Sequence, residues 1–471
     1  MDPRIEPYET RGKGIAELIS NLEHKSIILS VLRFFSFILF IVACVFCFIR
    51  NGLVFYIAAG FFLVAFVAFC IVHSKVSYNL KFASALYAVN TQYIYRMTGD
   101  FKGLYEMAIA GVNKADDKAY YSSVFTGEEF YDINHDYCPD LGLFGKRSLF
   151  SLLSVCETVM GRRRLAHKLL YDSTEDNPGA SIPATQEACK ELISDIDSVQ
   201  EFQALAKLGY LKFSDEDIRT LFDNYKDRKK SFKPVYIILP ILWLIPLVMI
   251  FVNAKLINVA VMGVLIVHLI FWGVGLFRNK DLIPSGTSIR KCKTLRELYL
   301  NLEAREFNAD YLKRLVSCGL NGGGKVSDIL GDLSTILNVS DLRSQPLFAL
   351  VINLIFPLDY LVMDLMASWN KKHGSSINQI LDNIGEIEAL ASISQITVTA
   401  DEFVYPTFTS SLNPADNAFF EGESICHPLL DPETRVSNSV TLNSKIALIE
   451  SQDSLVIFLL CPRSDPSAFN S

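Results

Sequence analysis

The chain has 471 residues, of which 50% are apolar, and a formal net charge of −7. This negative charge excludes a general electrostatic attraction to nucleic acid, so affinity for DNA would have to come from local basic patches. Ten cysteines without metal-ligand spacing indicate reduced cytoplasmic thiols, with neither a disulfide framework nor a metal site.

Four apolar runs come after a charged N-terminal segment, residues 1–25. They cover residues 27–49, 53–72, 235–252 and 257–277. At ~1.5 Å rise per residue, each helix would approach the ~30 Å thickness of the hydrocarbon layer. The turns between the paired runs are only a few residues long. The sequence therefore predicts two transmembrane hairpins, at 26–73 and 234–277.

Basic residues predict which side of the membrane carries the soluble parts. Each short turn has a single basic residue, whereas a larger set flanks the outer ends of the runs: Lys75, Lys81, Lys226, Arg228, Lys229, Lys230, Lys233, Arg278 and Lys280. Positive charge concentrates on the cytoplasmic side. We expect a multi-pass inner-membrane protein with membrane lipid as a partner, and with its soluble parts and both termini in the cytoplasm.

His268 lies near the middle of the fourth apolar run. An ionisable residue at that depth is a functional candidate by default, but a neutral imidazole can also form a structural hydrogen bond across the hairpin. The cores of the runs contain no Asp, Glu or Lys that could form a proton relay with it. This favours the structural interpretation and weakens the hypothesis of a small transporter.

The soluble parts have mainly helical periodicity. Apolar spacing predicts two helices within 148–170, separated around Gly161, and more helix over 184–208. Long helices are expected at 347–369 and 377–396, joined at 371–375, where Gly374 can end the first. After Pro406 the pattern predicts short strands, including Val440 to Leu442. The expected fold class is mainly α, with a short β-containing C-terminal part.

Several spaced motifs stand in the soluble parts. Residues 127–145 read GEEFYDINHDYCPDLGLFG, and SLFSLL (148–153) and MGRRRL (160–165) come next. Far downstream stand LDNIGEIEALAS (381–392) and CHPLL (426–430). In this order they resemble the helical core and the start of the ATPase domain of the MutS family of DNA mismatch-repair proteins. The resemblance covers about 120–215 and 300–449, on both sides of the second hairpin.

The resemblance implies a division of the chain. Residues 78–233 would be the first part of a MutS-like core, and 280–405 the second part, with lever-type helices. Residues 406–471 would be the truncated start of a P-loop ATPase domain. The start of the chain has no F-x-E motif of the family, and residues 280–370 are too few for an obvious DNA clamp. The resemblance therefore points to a membrane-anchored MutS-like branch in which mismatch reading is not assumed.

The expected phosphate-binding loop is missing from this chain. After the strand-like segment 445–449, residues 450–455 read ESQDSL, without glycine or lysine. We expect no ATP or Mg²⁺ cofactor and no ATPase activity, although full-length family members use both. The switch at Glu450 suggests a truncated or frame-shifted product. By the resemblance, Arg435, Val436 and Asn438 are remnants of nucleotide-contact positions.

One other segment partly matches a phosphate loop. Residues 319–326, GLNGGGKV, satisfy G-x-x-x-x-G-K but end in Val326 instead of Ser or Thr. A phosphate loop requires a strand before it, whereas the preceding segment, 307–315, has helical spacing. A helix cap followed by a turn is the favoured interpretation, with the phosphate loop as the alternative.

Candidate DNA contacts lie in a basic run, Arg162, Arg163 and Arg164, with Lys168 one turn further on. Such runs are more often solvated helix faces. A second patch, composed of Arg290, Lys291, Lys293 and Arg296, could instead be a topology signal or a lipid headgroup site.

Three polar motif residues are candidate catalytic groups. His135, Asp140 and Asp382 are more simply expected to stabilise helix ends and turns. No nucleophile with a partnered base can be identified from spacing alone.

Two functions stay open at this point. The first is a membrane-anchored, MutS-like, DNA-repair-type protein that binds double-stranded DNA, with a homodimer as in the family. The second is a membrane scaffold that recruits protein partners and does not bind DNA.

Overall fold

The computed structural model describes residues 3–50, 52–108, 122–135, 137–170, 181–209, 216–226, 231–252, 254–318, 324–341, 346–400, 403–407, 420–430 and 436–442. The protein is mainly helical, as predicted, with one small two-stranded sheet. The helices of the first half are α1 (Glu6–Arg50), α2 (Leu53–Met97), α3 (Phe101–Ala108), α4 (Leu149–Leu153), α5 (Val159–Leu170), α6 (Ile182–Ser194), α7 (Ile196–Gly209) and α8 (Glu216–Lys226).

The helices of the second half are α9 (Lys233–Ile241), α10 (Leu244–Val252), α11 (Ile257–Arg278), α12 (Gly286–Glu303), α13 (Asp310–Ser317), α14 (Val326–Asp341), α15 (Pro346–Ile355), α16 (Leu358–Ser394) and α17 (Ile396–Thr399). Short 3-10 turns cover Glu128–Phe130, Ala254–Leu256 and Lys280–Leu282. The strands are β1 (Phe420–Ile425) and β2 (Asn438–Leu442).

Four helical segments of the described chain are long and apolar enough to cross a membrane. They are Glu6–Arg50, Leu53–Met97, Lys233–Val252 and Ile257–Arg278. Each contains one of the predicted apolar runs, and the first two extend well beyond theirs. The third segment is divided after Ile241 and resumes at Leu244, with Pro240 in its first part and Pro246 in its second. Pro246 has no N–H to donate to the Leu242 carbonyl oxygen, which accounts for a break at this point.

The first hairpin is built from α1 and α2, which pack along each other far beyond the apolar runs. Near the turn, Ala43 and Cys47 of α1 pack with Ala59 of α2. At the other end, the rings of Tyr8 and Tyr93 stack with centroids 5.8 Å apart. Large apolar side chains on the outer faces are exposed, which suits helices surrounded by lipid.

The chain divides into two compact units. The first contains residues 1–155, 165–194 and 390–471, and the second contains residues 156–164 and 195–389. Each unit therefore combines segments from before and after the second hairpin, within the described ranges.

In the first unit, the SLFSLL motif packs against the end of the long C-terminal helical segment. Leu152 and Leu153 form a buried apolar cluster with Ile396. Gln395 donates to the Leu152 carbonyl oxygen at 3.1 Å, and the Val155 N–H donates to the Ser392 hydroxyl at 3.1 Å. Apolar packing and hydrogen bonds thus join the first motif to the downstream one.

The core of the second unit forms around α12, which packs against α14 and α7. Its fully buried side chains include Leu295, Leu298, Leu330, Leu333, Leu381 and Ile384. The hydroxyl of Tyr299, also in this core, donates to the Ile380 carbonyl oxygen at 3.1 Å. Helix spacing of apolar residues explains these buried faces.

Two predicted helix boundaries are wrong. The helix expected over 347–369 is interrupted before Leu358, with a bend of 88°, and α16 then runs without a break through Gly374. The reason is that Pro357 cannot donate to the preceding turn and clashes with it, whereas glycine inside a helix costs only about 1 kcal/mol.

The predicted break around Gly161 is also wrong. Gly161 lies within α5, and the break falls earlier, between Leu153 and Val159. The N–H groups at the start of α5 are bonded by a glutamate side chain from α16, a contact that local spacing does not reveal.

The two strands form an antiparallel pair, with Glu421 opposite Thr441 and Gly422 opposite Val440. The predicted strand at 440–442 is therefore present. The prediction that the phosphate-binding loop is missing rests on residues 445–449 and 450–455, which lie outside the described residues.

Candidate functional site

The basic run lies in the first turns of α5, and its three arginines have different surroundings. Arg162 is buried, with 3% of its surface exposed. Arg164 forms an ion pair with Glu386, which is itself buried. Arg163 is exposed. Lys168 is half-buried in the last turn of the helix. Of the three adjacent arginines, Arg163 is therefore the exposed one.

A buried carboxylate fixes the start of α5. Glu388 accepts hydrogen bonds from the backbone N–H groups of Glu157, at 3.0 Å, and Thr158, at 3.3 Å, and from the Thr158 hydroxyl. The first N–H groups of a helix have no acceptor within the helix, and a carboxylate side chain is a strong substitute. Glu388 on α16 therefore caps a helix that lies far from it in sequence.

The surroundings of Glu388 favour its protonated form. Burial, the largest effect, raises its pKa to about 7, although the hydrogen bonds from Thr158 and the Glu157 N–H oppose the rise. Protonation would give Oε2 a hydrogen to donate to the Thr158 hydroxyl oxygen. That oxygen already accepts from the Gly161 N–H at 3.0 Å. The hydrogen bonds of this site can therefore form with Glu388 either ionised or protonated.

Two glycines allow α5 and α16 to approach closely. A Cβ atom on Gly161 would lie 2.7 Å from the Cβ of Glu388, and one on Gly385 would lie 2.9 Å from the backbone carbonyl oxygen of Met160. Contacts this short do not occur between real Cβ atoms and their neighbours. Glycine is therefore required at both positions for this packing.

The neighbouring carboxylate has different partners. Glu386 accepts a hydrogen bond from the Tyr311 hydroxyl at 2.6 Å and pairs with Arg164. Burial, followed by the negative charge of Glu386, raises the pKa of the Tyr311 hydroxyl well above its ordinary value of 10.0. The two carboxylates thus join α16 to α5 and α13.

The arrangement has the geometry of a structural junction. Thr158 and Glu388 form a hydroxyl–carboxylate pair, as a nucleophile and its base would, but 1% and 2% of their surfaces are exposed. A substrate could not reach the hydroxyl. The network stabilises the packing of α5 on α16 instead.

Sequence reasoning missed Glu386 and Glu388 as partners of α5. A signal was present, because Leu381, Ile384, Glu388 and Ala391 recur at the three- and four-residue steps of a buried helix face. A carboxylate on such a face requires buried partners.

The predicted nucleotide-contact positions lie at the edge of the described residues. Arg435 is outside them. Val436 is 72% exposed, and Asn438 begins β2, where it pairs with Ile425.

The glycine-rich segment is described only from Gly324 onward. Lys325 is exposed and precedes α14. Upstream, helix α13 ends at Ser317, and the next residue, Cys318, has a left-handed backbone with a φ of 50°. The preceding element is thus a helix, as its spacing predicts, and not the strand that a phosphate loop requires.

The polar motif residues considered as catalytic groups have structural surroundings. The Nε2 of His135 lies 2.9 Å from the carbonyl oxygen of Leu170, the last residue of α5, and the Tyr137 hydroxyl donates to the same oxygen. As predicted, His135 stabilises a helix end. Asp382 pairs with Arg219 at 2.6 Å. Asp140 is an exposed turn residue.

His268 is buried in the fourth apolar run. Its Nδ1 lies 3.0 Å from the Val264 carbonyl oxygen of the same helix, and its ring lies 6.0 Å from the Trp243 ring of the other arm of the hairpin. The imidazole therefore bonds within its own helix and contacts the neighbouring arm through its ring.

The second basic patch is divided in the same way as the first. Lys291 is buried, Lys293 pairs with Asp341 at 3.3 Å, and Arg296 lies 3.9 Å from Glu297. Arg290 is exposed.

No cluster of three or more His, Cys, Asp or Glu side chains suited to a metal ion occurs among the described residues. Comparisons of the chain with protein-family models, with curated proteins and with solved structures find no match.

Proposed function

We propose that this chain is a membrane-anchored MutS-like protein whose helical core interacts with double-stranded DNA. One observation carries the proposal. The two sequence runs on which the resemblance rests pack against each other through Gly161 and Gly385 and through the Thr158–Glu388 hydrogen bond. Close packing of these runs is what a shared helical core requires, and it explains why both contain a glycine there.

The proposed anchor consists of the two apolar hairpins in the inner membrane. The basic residues at their outer ends support a cytoplasmic position for the soluble parts and both termini. Lys75, Lys81, Lys233, Arg278 and Lys280 are exposed at these ends. A core on the cytoplasmic side would have access to DNA.

DNA contact is assigned first to Arg163, the exposed member of the basic run on α5. Arg164 and the buried Arg162 would position α5, and Lys168 in the last turn is a further candidate. The proposed activity is binding without ATP turnover, with no bound cofactor. A homodimer is proposed by analogy with the family.

The alternative is a membrane scaffold that recruits protein partners and does not bind DNA. A specific observation favours it, because two of the three arginines proposed for DNA are buried or ion-paired. The net charge of −7 points in the same direction.

Salt-dependent DNA binding separates the two functions. The full chain in nanodiscs of zwitterionic lipid would be titrated with fluorescent duplex DNA at several salt concentrations. For each phosphate contact, log K should fall with log salt with a slope of about −0.9. Arg163→Ala should reduce that slope by about one contact.

Lys371→Ala is the matched control, since it removes an exposed positive charge from α16 and should leave the slope unchanged. Salt-insensitive binding, or no binding by a folded protein, would exclude the DNA function and leave the scaffold. Equal effects of the two variants would show that Arg163 is not a specific contact.

A further inference from the structure

An open cavity of about 410 Å³ lies between the two arms of the first hairpin. Three basic side chains line it, Arg33 from α1 and His73 and Lys81 from α2. Hydroxyl groups of Ser74, Ser77 and Tyr78 line the same space. No carboxylate is among the lining residues. The cavity thus combines positive charge with hydrogen-bond donors, the combination that binds phosphate.

The basic lining residues have no acidic partner. Within the described residues, no ion pair is formed by Arg33, His73 or Lys81, and the Nδ1 of His73 is buried without a hydrogen-bond partner. A buried ring nitrogen without a partner carries a desolvation cost that a bound oxygen would relieve. The site is therefore complementary to an anion that the described part of the chain does not supply.

The position of the cavity along the hairpin identifies the source of the anion. At ~1.5 Å per residue, Arg33 and Cys70 both lie roughly 26 Å from the turn, and His73 lies roughly 30 Å from it. The hydrocarbon layer is ~30 Å thick. If the polar turn lies at one boundary of this layer, His73 lies at the other. Ser77 and Tyr78, one turn further along α2, then reach the headgroup region.

We propose that this cavity binds the phosphate group of an anionic phospholipid from the leaflet on the side of the soluble parts. Arg33 extends its guanidinium from within the apolar run toward the phosphate, and His73 donates a hydrogen bond at the boundary. Lys81 supplies a second positive charge from the polar side. The proposal rests on the membrane position of the first hairpin but not on DNA binding.

The experiment uses the full chain in detergent micelles, with phosphatidylglycerol, phosphatidylcholine or inorganic phosphate added as probes. Bound lipid is counted by native mass spectrometry, and the thermal midpoint is measured in parallel. We expect phosphatidylglycerol to bind at least tenfold more tightly than phosphatidylcholine. The double substitution Arg33→Gln, His73→Gln should abolish that preference.

Lys75→Gln is the matched control, because Lys75 is an exposed cation next to the cavity but not part of its lining. If general surface attraction held the lipid, Lys75→Gln would weaken phosphatidylglycerol binding as much as the loss of a lining cation does, by about fivefold per charge. An equal loss of affinity in this control would overturn the proposal. If the double variant does not fold, Lys81→Gln, at an exposed position, replaces it and should reduce the preference for phosphatidylglycerol.

Inorganic phosphate tests the other source of the same chemistry. Displacement of phosphatidylglycerol by an equal concentration of phosphate would overturn the assignment to lipid, whereas failure to compete supports it. Flotation with vesicles checks membrane insertion separately, so a misplaced hairpin is distinguished from a hairpin without a lipid site.

Discussion

Glu388 accepts a hydrogen bond of 3.0 Å from the backbone N–H of Glu157, although 231 residues separate the two in the sequence. The bond connects the C-terminal part of the long helix α16 to a residue just before the start of α5. Because Glu388 is buried, its contribution to stability depends on the protonation state of its carboxyl group.

The first prediction concerns pH. The pKa of Glu388 rises from 4.5 to about 7 on folding, chiefly through burial. The folded protein therefore retains a proton that the unfolded chain has lost in this interval. The contribution of Glu388 to stability is complete below the lower value and is lost as pH rises through the higher one. The total change is on the order of 3 kcal/mol.

Glu388→Gln should remove this pH dependence, because a neutral amide can accept from the two N–H groups and donate to Thr158 as the protonated acid does. The thermal midpoint of each protein is measured in detergent at several pH values. Between about pH 5 and about pH 8, the midpoint of Glu388→Gln should rise relative to that of the natural protein. Glu306→Gln, at an exposed site, should show the same pH dependence as the natural protein. A constant difference between Glu388→Gln and the natural protein would contradict the assignment.

A second prediction concerns the close approach at Gly385. Gly385→Ala places a methyl group 2.9 Å from the Met160 backbone, which cannot move as a flexible side chain can. Overpacking of this kind costs about 1–3 kcal/mol. The thermal midpoint should fall.

Gly14→Ala is the control for helix propensity, since a Cβ on Gly14 has no neighbour within 4 Å. There the substitution should raise stability by up to about 1 kcal/mol. Equal effects at the two positions would show that α5 and α16 do not approach as closely as described.

The third prediction is that the chain neither binds ATP tightly nor hydrolyses it. Phosphate binding requires closely spaced backbone amides, a lysine and a hydroxyl group, and residues 450–455 contain neither glycine nor lysine. Turnover by purified protein should equal that of a mock preparation. Turnover abolished by Lys325→Ala would show that the segment 319–326 is a phosphate loop after all.

The sequence predicts those features that depend on neighbouring residues. The apolar runs mark the four candidate spans because length and hydropathy decide them. The sequence also contains the signal for the bend before Leu358, since Pro357 is a stronger helix breaker than Gly374.

The surroundings of the basic run depend on contacts that spacing cannot provide. Three consecutive residues on a helix point in directions about 100° apart, so Arg162, Arg163 and Arg164 cannot share one face. Arg164 pairs with Glu386 of α16, more than 200 residues away. That pairing is visible only after the chain has folded.

Cysteine labelling in intact cells tests the central claim, a two-hairpin membrane anchor with a cytoplasmic helical core. Asn51→Cys and Asn253→Cys lie in the predicted external turns, and Asn308→Cys lies in the soluble part. With a membrane-impermeant maleimide, and labelling of the natural cysteines subtracted, the two turn variants should react in intact cells. Asn308→Cys should react only after the membrane is broken. Labelling of Asn308→Cys in intact cells, with protected turns, would contradict the account.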